Sequence, residues 1–211
     1  MGSSGRRCAV ITGAGSGIGE AIALAFAKNG MDIVLAGRRA DVLEQAADRL
    51  GGDESEPLVL QTDVTDRESV RALVDGAVDR FGRIDILVNN AGINTVKRGL
   101  GDISVEDWDR VLQINLTGAF NCFRTALPQM EKQQDGLVIN ISSMAGKRAG
   151  VVGGAAYSAS KFGLAAMTQS INAEFRDAGI RGCCIYPGEV DTPILDYRPV
   201  PVSDEKRSAA L

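Results

Sequence analysis

The chain has 211 residues, of which 45% are hydrophobic and 24% are charged, and its formal net charge is −4. This length is enough for one α/β domain with a sizeable core, and the charge gives no reason to expect nucleic acid or an anionic membrane as a partner. The sequence contains no histidine, which excludes a Ser-His-Asp or Cys-His nucleophile pair and any zinc site with a histidine ligand. We expect no metal, and acid–base chemistry near neutral pH must then come from Tyr, Lys, Cys, Asp or Glu.

The N-terminal segment shows no targeting signal. Residues 1–7 are polar, and the apolar run that follows breaks at Thr12-Gly13, which is too short for a secretory or membrane segment. We therefore expect a cytoplasmic protein. The cysteines have no CxxC spacing, and we interpret them as small buried hydrophobic residues with reduced thiols: Cys8, Cys122, Cys183 and Cys184.

Strand-like and helix-like patterns alternate from the start of the chain. A strand over 8–12 is followed by a helix from Ile18 that ends at Gly30, then by a strand over 32–36, a helix over 42–50 and a strand over 58–61. Thr65 opens the next helix, with Glu68 at the spacing of a capping box, and this helix ends at Gly82.

The second half of the chain continues the alternation. It predicts strands over 86–88, 137–141 and 182–186, and long helices over about 105–130 and 157–176. Continuously apolar strands separated by amphipathic helices indicate a parallel sheet covered on both faces. We therefore predict a single, doubly wound, Rossmann-like α/β domain over 1–195, followed by a loop or truncated tail over 196–211.

A glycine-rich loop joins the first strand to the first helix. It reads Thr12-Gly13-Ala14-Gly15-Ser16-Gly17-Ile18-Gly19. Glycines at 13, 17 and 19 allow a tight turn and a close approach to a pyrophosphate at the helix N-terminus. The loop lacks the Gly-Lys-Ser/Thr ending of a phosphate-binding NTPase loop. Two alternatives remain at this point, an S-adenosylmethionine-dependent methyltransferase and a plain strand–helix turn.

The end of the second strand bears on the choice of cofactor. An NAD-binding fold usually places an acidic residue there to accept a hydrogen bond from the ribose 2′-OH. This strand instead ends in Gly37-Arg38-Arg39. Arg38 could pair with a 2′-phosphate, which favours NADP(H) over NAD(H). A solvated arginine pair at the start of a helix is the alternative.

The spacing of Tyr157 and Lys161 places both side chains on one face of a helix. An adjacent ammonium, together with the positive ring of oxidised nicotinamide, would stabilise the phenolate and lower the pKa of Tyr157. Tyr157 could then give a proton to a carbonyl oxygen or remove one from an alcohol. Ser143, which follows the fifth strand, could hold the same oxygen.

These motifs together resemble the short-chain dehydrogenase/reductase family, and the resemblance covers the chain up to about Thr192. It is carried by the following residues: Thr12-Gly13-x3-Gly17-Ile18-Gly19, Asp63-Val64, Asn89-Asn90-Ala91-Gly92, Asn115, Ser143, Tyr157-x3-Lys161 and Pro187-Gly188. Members of the family usually continue with a further helix and a seventh strand, so we expect the sheet to lack the usual C-terminal strand.

The resemblance implies roles for matching positions. Asp63 would contact the adenine with Val64 beside it, Asn90 would line the cofactor groove, and Lys161 would also hold the nicotinamide ribose. Val190 and Thr192 would bind the nicotinamide carboxamide.

Asn115 lies on the apolar face of its helix, so it is either a satisfied core amide or, as the resemblance implies, part of a water-mediated proton relay behind Lys161. Composition does not separate Ser142 from Ser143, and we choose Ser143 because the family position is the second serine.

We therefore predict an NADP(H)-dependent oxidoreductase that acts on a small carbonyl or alcohol, with Tyr157 as general acid or base. The substrate pocket would be formed by 93–99, 144–154 and the residues from Glu189 onward. We expect a homodimer or homotetramer that uses the two long helices. A nucleotide-binding regulatory or scaffold protein on the same fold is the alternative function.

Overall fold

A computed structural model describes residues 5–51, 56–192 and 194 of the protein. A six-stranded sheet with the order β3-β2-β1-β4-β5-β6 forms its centre, and every neighbouring pair of strands is parallel. The strands are β1 Cys8–Thr12, β2 Asp32–Gly37, β3 Leu58–Gln61, β4 Ile86–Asn89, β5 Gly136–Ile141 and β6 Ile180–Ile185. The strand order reverses beside β1, which contacts both β2 and β4, and a ligand crevice opens at such a switch point in parallel sheets.

Helices connect the strands and cover the sheet. They are α1 Gly17–Lys28, α2 Ala40–Leu50, α3 Arg67–Phe81, α4 Val105–Leu112, α5 Gly118–Gln133 and α6 Ala155–Glu174. The predicted doubly wound α/β fold is therefore confirmed. Within the described residues, no helix combines the length and the apolar character needed to cross a membrane.

The core has two layers, one on each face of the sheet. All five residues of β1 are buried. Cys8 and Val10 pack into a cluster with residues of α3 and α5, whereas Ala9 and Ile11 pack into a cluster with residues of α1 and α2. A central strand that is buried on both faces is apolar along most of its length, which explains the apolar run over 8–11 before the buried Thr12.

The predicted start of α3 is wrong. The N-cap is Asp66, whose side chain accepts a hydrogen bond from the Glu68 backbone N–H at 2.9 Å, and the helix begins at Arg67. The predicted capping box of Thr65 with Glu68 does not form, because the Glu68 backbone N–H donates to Asp66 and the Thr65 hydroxyl donates to Asp63 Oδ1 at 2.7 Å. An aspartate can cap a helix as well as a threonine does, so the sequence pattern did not distinguish the two.

The predicted long helix over 105–130 contains a change of winding. A five-residue π-helical turn, Gln113–Thr117, separates α4 from α5. Leu112 and Gly118 on either side keep right-handed helical dihedrals, so the chain continues as a helix through the turn. The second long helix, α6, begins at Ala155 rather than at Tyr157, since Gly154 is its N-cap.

The cysteines divide into two groups. Cys8 and Cys122 are buried, as predicted, but Cys183 is exposed and Cys184 only partly buried, so the prediction of four buried cysteines is wrong. The reason lies in β6, whose odd-numbered residues from Arg181 to Ile185 are exposed. In the part of the chain that the structure describes, β6 is an edge strand. The predicted tail over 196–211 lies outside the described residues.

Candidate active site

The glycine-rich turn between β1 and α1 brings three backbone segments close together. Gly13 has a φ of 64°, a left-handed conformation that favours glycine. A Cβ at Gly19 would collide with the Gly13 carbonyl oxygen and lie 2.5 Å from Asn90 Nδ2. The turn therefore tolerates glycine and little else at these positions.

Asn90 ties this turn to the end of β4. Its side-chain Nδ2 donates to the carbonyl oxygens of Thr12 and Gly13, both at 3.0 Å. Its backbone N–H donates to the Thr12 hydroxyl at 3.1 Å, and that hydroxyl donates to the Val88 carbonyl at 3.2 Å. Asn90 thus braces the crevice at the switch point between β1 and β4.

The start of α1 fits a pyrophosphate group. Ser16 is the N-cap, but its side chain makes no capping hydrogen bond to the first turn. The first backbone N–H groups of a helix need partners from outside the helix, and they attract anions. Gly17, Ile18 and Gly19 form this first turn, and the close packing of Gly19 against Gly13 and Asn90 leaves no room for a side chain there.

The carboxyl ends of β2 and β3 hold the residues assigned to the adenosine end of a cofactor. Arg38 follows β2 with an exposed side chain, and its carbonyl accepts from Gln61 Nε2 at 2.9 Å. Asp63 Oδ1 accepts from the Thr65 backbone N–H at 2.9 Å. Val64 is buried, and a Cβ at Gly118 would lie 2.5 Å from its Cγ2. These side chains lie on the β2–β3 side of the crevice.

Ser143, Tyr157 and Lys161 meet at the end of β5 and the start of α6. Lys161 Nζ lies 5.4 Å from the centroid of the Tyr157 ring. The Ser143 side chain lies close enough to the Tyr157 hydroxyl to lower the pKa of the phenol. Ser142 has a different role, because its buried hydroxyl donates to the Lys161 carbonyl at 2.9 Å. Of the two serines, only Ser143 faces the phenol.

Lys161 is an internal lysine. It is 4% exposed, and its ammonium donates to the Ile141 carbonyl at 2.7 Å. Burial lowers the pKa of Lys161 from 10.5 to about 8, and the charge of Cys184 partly opposes this change. A lysine in such a position exchanges its proton much nearer to neutral pH than an exposed lysine does.

The pKa of the Tyr157 phenol is raised, mainly because burial disfavours the phenolate. The Ser143 side chain and the positive charge of Arg98 act in the opposite direction. The predicted lowering of this pKa rests on the Lys161 ammonium together with the positive ring of oxidised nicotinamide, so it stays a prediction for the protein with its cofactor bound. Lys161 loses its proton near pH 8, below the range in which the phenol titrates, whereas a guanidinium stays charged throughout.

Sequence reasoning missed Arg98. The segment over 93–99 was predicted to line the pocket, but nothing in the local pattern separates Arg98 from the exposed Lys97 beside it. Its position depends on a contact with Gly154, more than 50 residues away in sequence. No periodicity could have indicated that contact.

Asn115 lies in the π-helical turn and is 1% exposed. Its Oδ1 accepts from the Ile93 backbone N–H at 2.8 Å, and its Nδ2 donates to the Ile93 carbonyl at 2.9 Å and to Ser160 Oγ at 3.2 Å. Ser160 Oγ in turn donates to the Tyr157 carbonyl at 2.7 Å. The amide is thus satisfied, and it links the segment after β4 to the start of α6.

Val190 and Thr192 follow Pro187-Gly188 beyond the end of β6. The Met144 backbone N–H donates to the Pro187 carbonyl at 3.0 Å, which ties this segment to the residues after β5. The Thr192 hydroxyl donates to the Val190 carbonyl at 3.4 Å. Both residues therefore belong to the same sheet edge as Ser143, at the opposite end of the crevice from Arg38.

Comparisons with known proteins identify the class of enzyme. Residues 7–199 match the family model of the short chain dehydrogenases. Oxidoreductase UcpA from Salmonella typhimurium is 40% identical over 196 residues, which cover 93% of this chain and 74% of that protein. This chain therefore belongs to the short-chain dehydrogenase family, and it is an oxidoreductase of that type.

Two solved structures show the same architecture. An alcohol dehydrogenase from the archaeon Thermococcus sibiricus, complexed with 5-hydroxy-NADP, is 29% identical with a TM-score of 0.84, and the match covers 96% of this chain and 83% of that one. The 3-ketoacyl-(acyl-carrier-protein) reductase from Brucella melitensis, complexed with NADH, is 31% identical with a TM-score of 0.86, and the match covers 92% and 79%. Similar folds are thus complexed with both kinds of nicotinamide cofactor.

Proposed function

We propose that the protein transfers a hydride between NADP(H) and the carbonyl or alcohol group of a small molecule, with Tyr157 as general acid or base. One observation carries this proposal. The partly buried Tyr157 phenol interacts with the Ser143 side chain and has Lys161 Nζ 5.4 Å from its ring centroid, beside a crevice whose glycine turn fits a dinucleotide. Phenol, hydroxyl and ammonium in one place form an acid–base site that needs neither histidine nor metal.

The proposed roles follow from the contacts of these side chains. When bound, the nicotinamide cofactor supplies or accepts the hydride. In reduction, Tyr157 donates its phenolic proton to the substrate carbonyl oxygen, and the Ser143 hydroxyl donates a hydrogen bond to the same oxygen. In oxidation, the Tyr157 phenolate accepts the proton of the alcohol. Lys161 would hold the nicotinamide ribose. The Asn115 amide is already satisfied by hydrogen bonds within the protein, so its part in a proton relay behind Lys161 is proposed on the family resemblance alone.

The cofactor would lie along the carboxyl ends of β3, β2, β1 and β4 to β6. The first turn of α1 would hold the pyrophosphate, and Asn90 would brace the groove. The proposed cofactor-binding residues are Gly13, Ser16, Gly17, Ile18, Gly19, Arg38, Asp63, Val64, Asn90, Tyr157, Lys161, Val190 and Thr192. The choice between NADP(H) and NAD(H) depends on Arg38, because its exposed guanidinium follows Gly37 where an NAD site would carry an acid.

Cofactor titration tests this choice. We expect wild-type protein to bind NADPH more tightly than NADH, as followed by nicotinamide fluorescence. Arg38→Ala should weaken NADPH binding roughly 10- to 100-fold, the range for a lost charge-assisted hydrogen bond, and leave NADH binding nearly unchanged. Arg39→Ala, which removes the neighbouring exposed guanidinium, is the matched control. Equal affinity for both cofactors in the wild type would overturn the NADP(H) assignment.

Turnover tests the role of Tyr157. NADPH oxidation should occur with members of a panel of small ketones and aldehydes, and Tyr157→Phe should lower kcat by about 10²- to 10⁴-fold while cofactor affinity is retained. Tyr186→Phe, which keeps its ring beneath the ammonium of Lys147, is the control. An active Tyr157→Phe variant would contradict the mechanism, and binding of cofactor without turnover of any substrate would favour the scaffold function instead.

A further inference from the structure

Arg98 is a buried cation in the wall beside Tyr157. It belongs to the segment between β4 and α4 and is 6% exposed. Its guanidinium Nη1 donates to the Val152 carbonyl at 2.9 Å, and its own carbonyl accepts from the Ala155 backbone N–H at 3.4 Å. Arg98 is therefore attached at both ends to the chain that leads into α6.

Direct packing extends this attachment to the start of α6. A Cβ at Gly154 would lie 2.6 Å from Arg98 Cβ, and a Cβ at Gly153 would lie 3.7 Å from Tyr157 Cδ1. Gly154 thus packs directly against Arg98, and the neighbouring Gly153 packs next to the Tyr157 ring. A larger residue at Gly154 would collide with the Arg98 carbonyl oxygen and with the base of its side chain, and the φ of 77° also favours glycine there.

The charged groups around Tyr157 come from several elements. Lys161 lies on the same helix as Tyr157, and Cys184 on β6 raises the pKa of Lys161 by a charge interaction. The segment after β5 presents the neutral Ser143, while the ammonium of its Lys147 lies 4.4 Å from the Tyr186 ring centroid. The Arg98 guanidinium stays charged over the whole pH range in which the phenol titrates, and its charge lowers the pKa of Tyr157.

We propose that Arg98 is a positioning residue for the reaction: its guanidinium holds residues 152–154 against the start of α6 and supplies a fixed positive charge beside the Tyr157 phenol. This inference rests on the proposed acid–base role of Tyr157. A nearby positive charge favours the phenolate over the phenol. Arg98 would thereby offset part of the cost of burying an ionisable tyrosine.

The test separates the charge of Arg98 from its hydrogen bond. Arg98→Gln keeps a donor for the Val152 carbonyl but removes the charge, whereas Arg98→Lys keeps the charge. Lys97→Gln, at the exposed neighbour, is the matched control. The first measurement is the pH profile of kcat for alcohol oxidation. We expect the rising limb to move to higher pH by roughly half a unit to one unit in Arg98→Gln, and to stay close to wild type in Arg98→Lys and Lys97→Gln.

A second measurement does not depend on turnover. The protein has three tyrosines, so the phenolate absorbance of each protein minus that of the same protein carrying Tyr157→Phe reports Tyr157 alone. The pKa from this titration should rise in Arg98→Gln and not in Lys97→Gln, with circular dichroism confirming that each variant remains folded over the range used.

The outcomes distinguish this inference from the proposed function. A fully active Tyr157→Phe variant would refute the acid–base role itself. An inactive Tyr157→Phe together with an unshifted profile in Arg98→Gln would refute only the role of the Arg98 charge. Equal loss of kcat in Arg98→Gln and Arg98→Lys, without a shift in pH, would also overturn it, because a purely structural arginine would behave in that way.

Discussion

Among single residues, Lys161 links the site to the stability of the whole domain. Its pKa is lowered from 10.5 to about 8 in the folded protein, mainly by burial, so the unfolded chain holds this proton more tightly between those two values. Stability rises with pH wherever the unfolded state binds more protons. The contribution of Lys161 to the free energy of unfolding should therefore increase from pH 8 to pH 10.5, by about 3 kcal/mol in total.

Urea unfolding of wild type and Lys161→Met at several pH values measures this contribution. Below pH 8 the lysine is charged in both states, so the difference in stability between the two proteins should be constant there. Between pH 8 and 10.5 it should change steadily in favour of the wild type. A difference in stability that does not vary with pH would contradict the conclusion that burial lowers the pKa of Lys161.

The two adjacent serines after β5 should have separable effects. Ser143→Ala removes the hydroxyl that contacts the Tyr157 phenol and that accepts from the Ala145 backbone N–H at 3.2 Å. We therefore expect kcat to fall by roughly 10- to 100-fold and the free energy of unfolding to fall by no more than about 1 kcal/mol. Ser142→Ala removes the hydrogen bond to the Lys161 carbonyl, and it should cost about 1 kcal/mol of unfolding free energy. Steady-state kinetics and urea unfolding of both variants check this, and a reversed pattern would exchange the roles of the two serines.

At the level of elements, the alternation of exposed and less exposed residues along β6 predicts that Cys183 is more reactive than the buried cysteines of β1 and α5. Cys183 is exposed, whereas burial raises the pKa of Cys8 and of Cys122 to about 12. Only thiolates react readily with alkylating agents. Peptide mapping after brief iodoacetamide treatment of the native protein should therefore find label at Cys183 and none at Cys8 or Cys122. Cys183→Ser should remove that label, and labelling of Cys122 in the native protein would contradict the packing of α5.

Helices and strands were predictable where periodicity alone determines them. The apolar run of β1 and the amphipathic pattern of α3 gave the correct element types, because burial on one or two faces leaves a direct mark on the sequence. The Asp66 cap and the π-helical turn at Gln113–Thr117 were not predictable in this way. Each depends on which of several suitable side chains finds a partner in the folded chain, and the pattern of apolar residues is the same in either case.

For the whole molecule, strand order assembles the site from distant parts of the sequence. The parallel neighbours β1, β4 and β5 end at one edge of the sheet, so the glycine turn, Asn90 and Ser143 share a crevice. Motif spacing could indicate these residues because each one follows a strand. It could not indicate Arg98, whose place beside Tyr157 results from packing against Gly154. Local motifs therefore predicted the candidate residues better than they predicted the electrostatic balance among them.

Two exposed aromatic side chains bear on assembly. Phe120 on α5 is 46% exposed and Phe162 on α6 is 44% exposed. Leu116 lies one helical turn before Phe120, and a Cβ at Gly163, the residue after Phe162, would lie 2.7 Å from Leu116 Cδ2. Phe162 adjoins Gly163 in the sequence and Phe120 lies four residues after Leu116. Both phenylalanines therefore lie close in sequence to the point where the two helical segments meet. Exposed aromatic residues that lie together are typical of protein–protein interfaces.

We predict that a second copy of the chain covers these two helices, which gives at least a homodimer. Light scattering coupled to gel filtration should show the dimer for wild type. Phe120→Glu with Phe162→Glu should shift the protein to monomer while the far-ultraviolet circular dichroism stays unchanged, because a buried carboxylate in an apolar interface costs several kcal/mol without a partner. Leu100→Glu, at an exposed apolar side chain outside both helices, should leave the mass unaltered. A wild-type protein that is monomeric at all concentrations would refute this assembly, and the two phenylalanines would then be ordinary exposed residues.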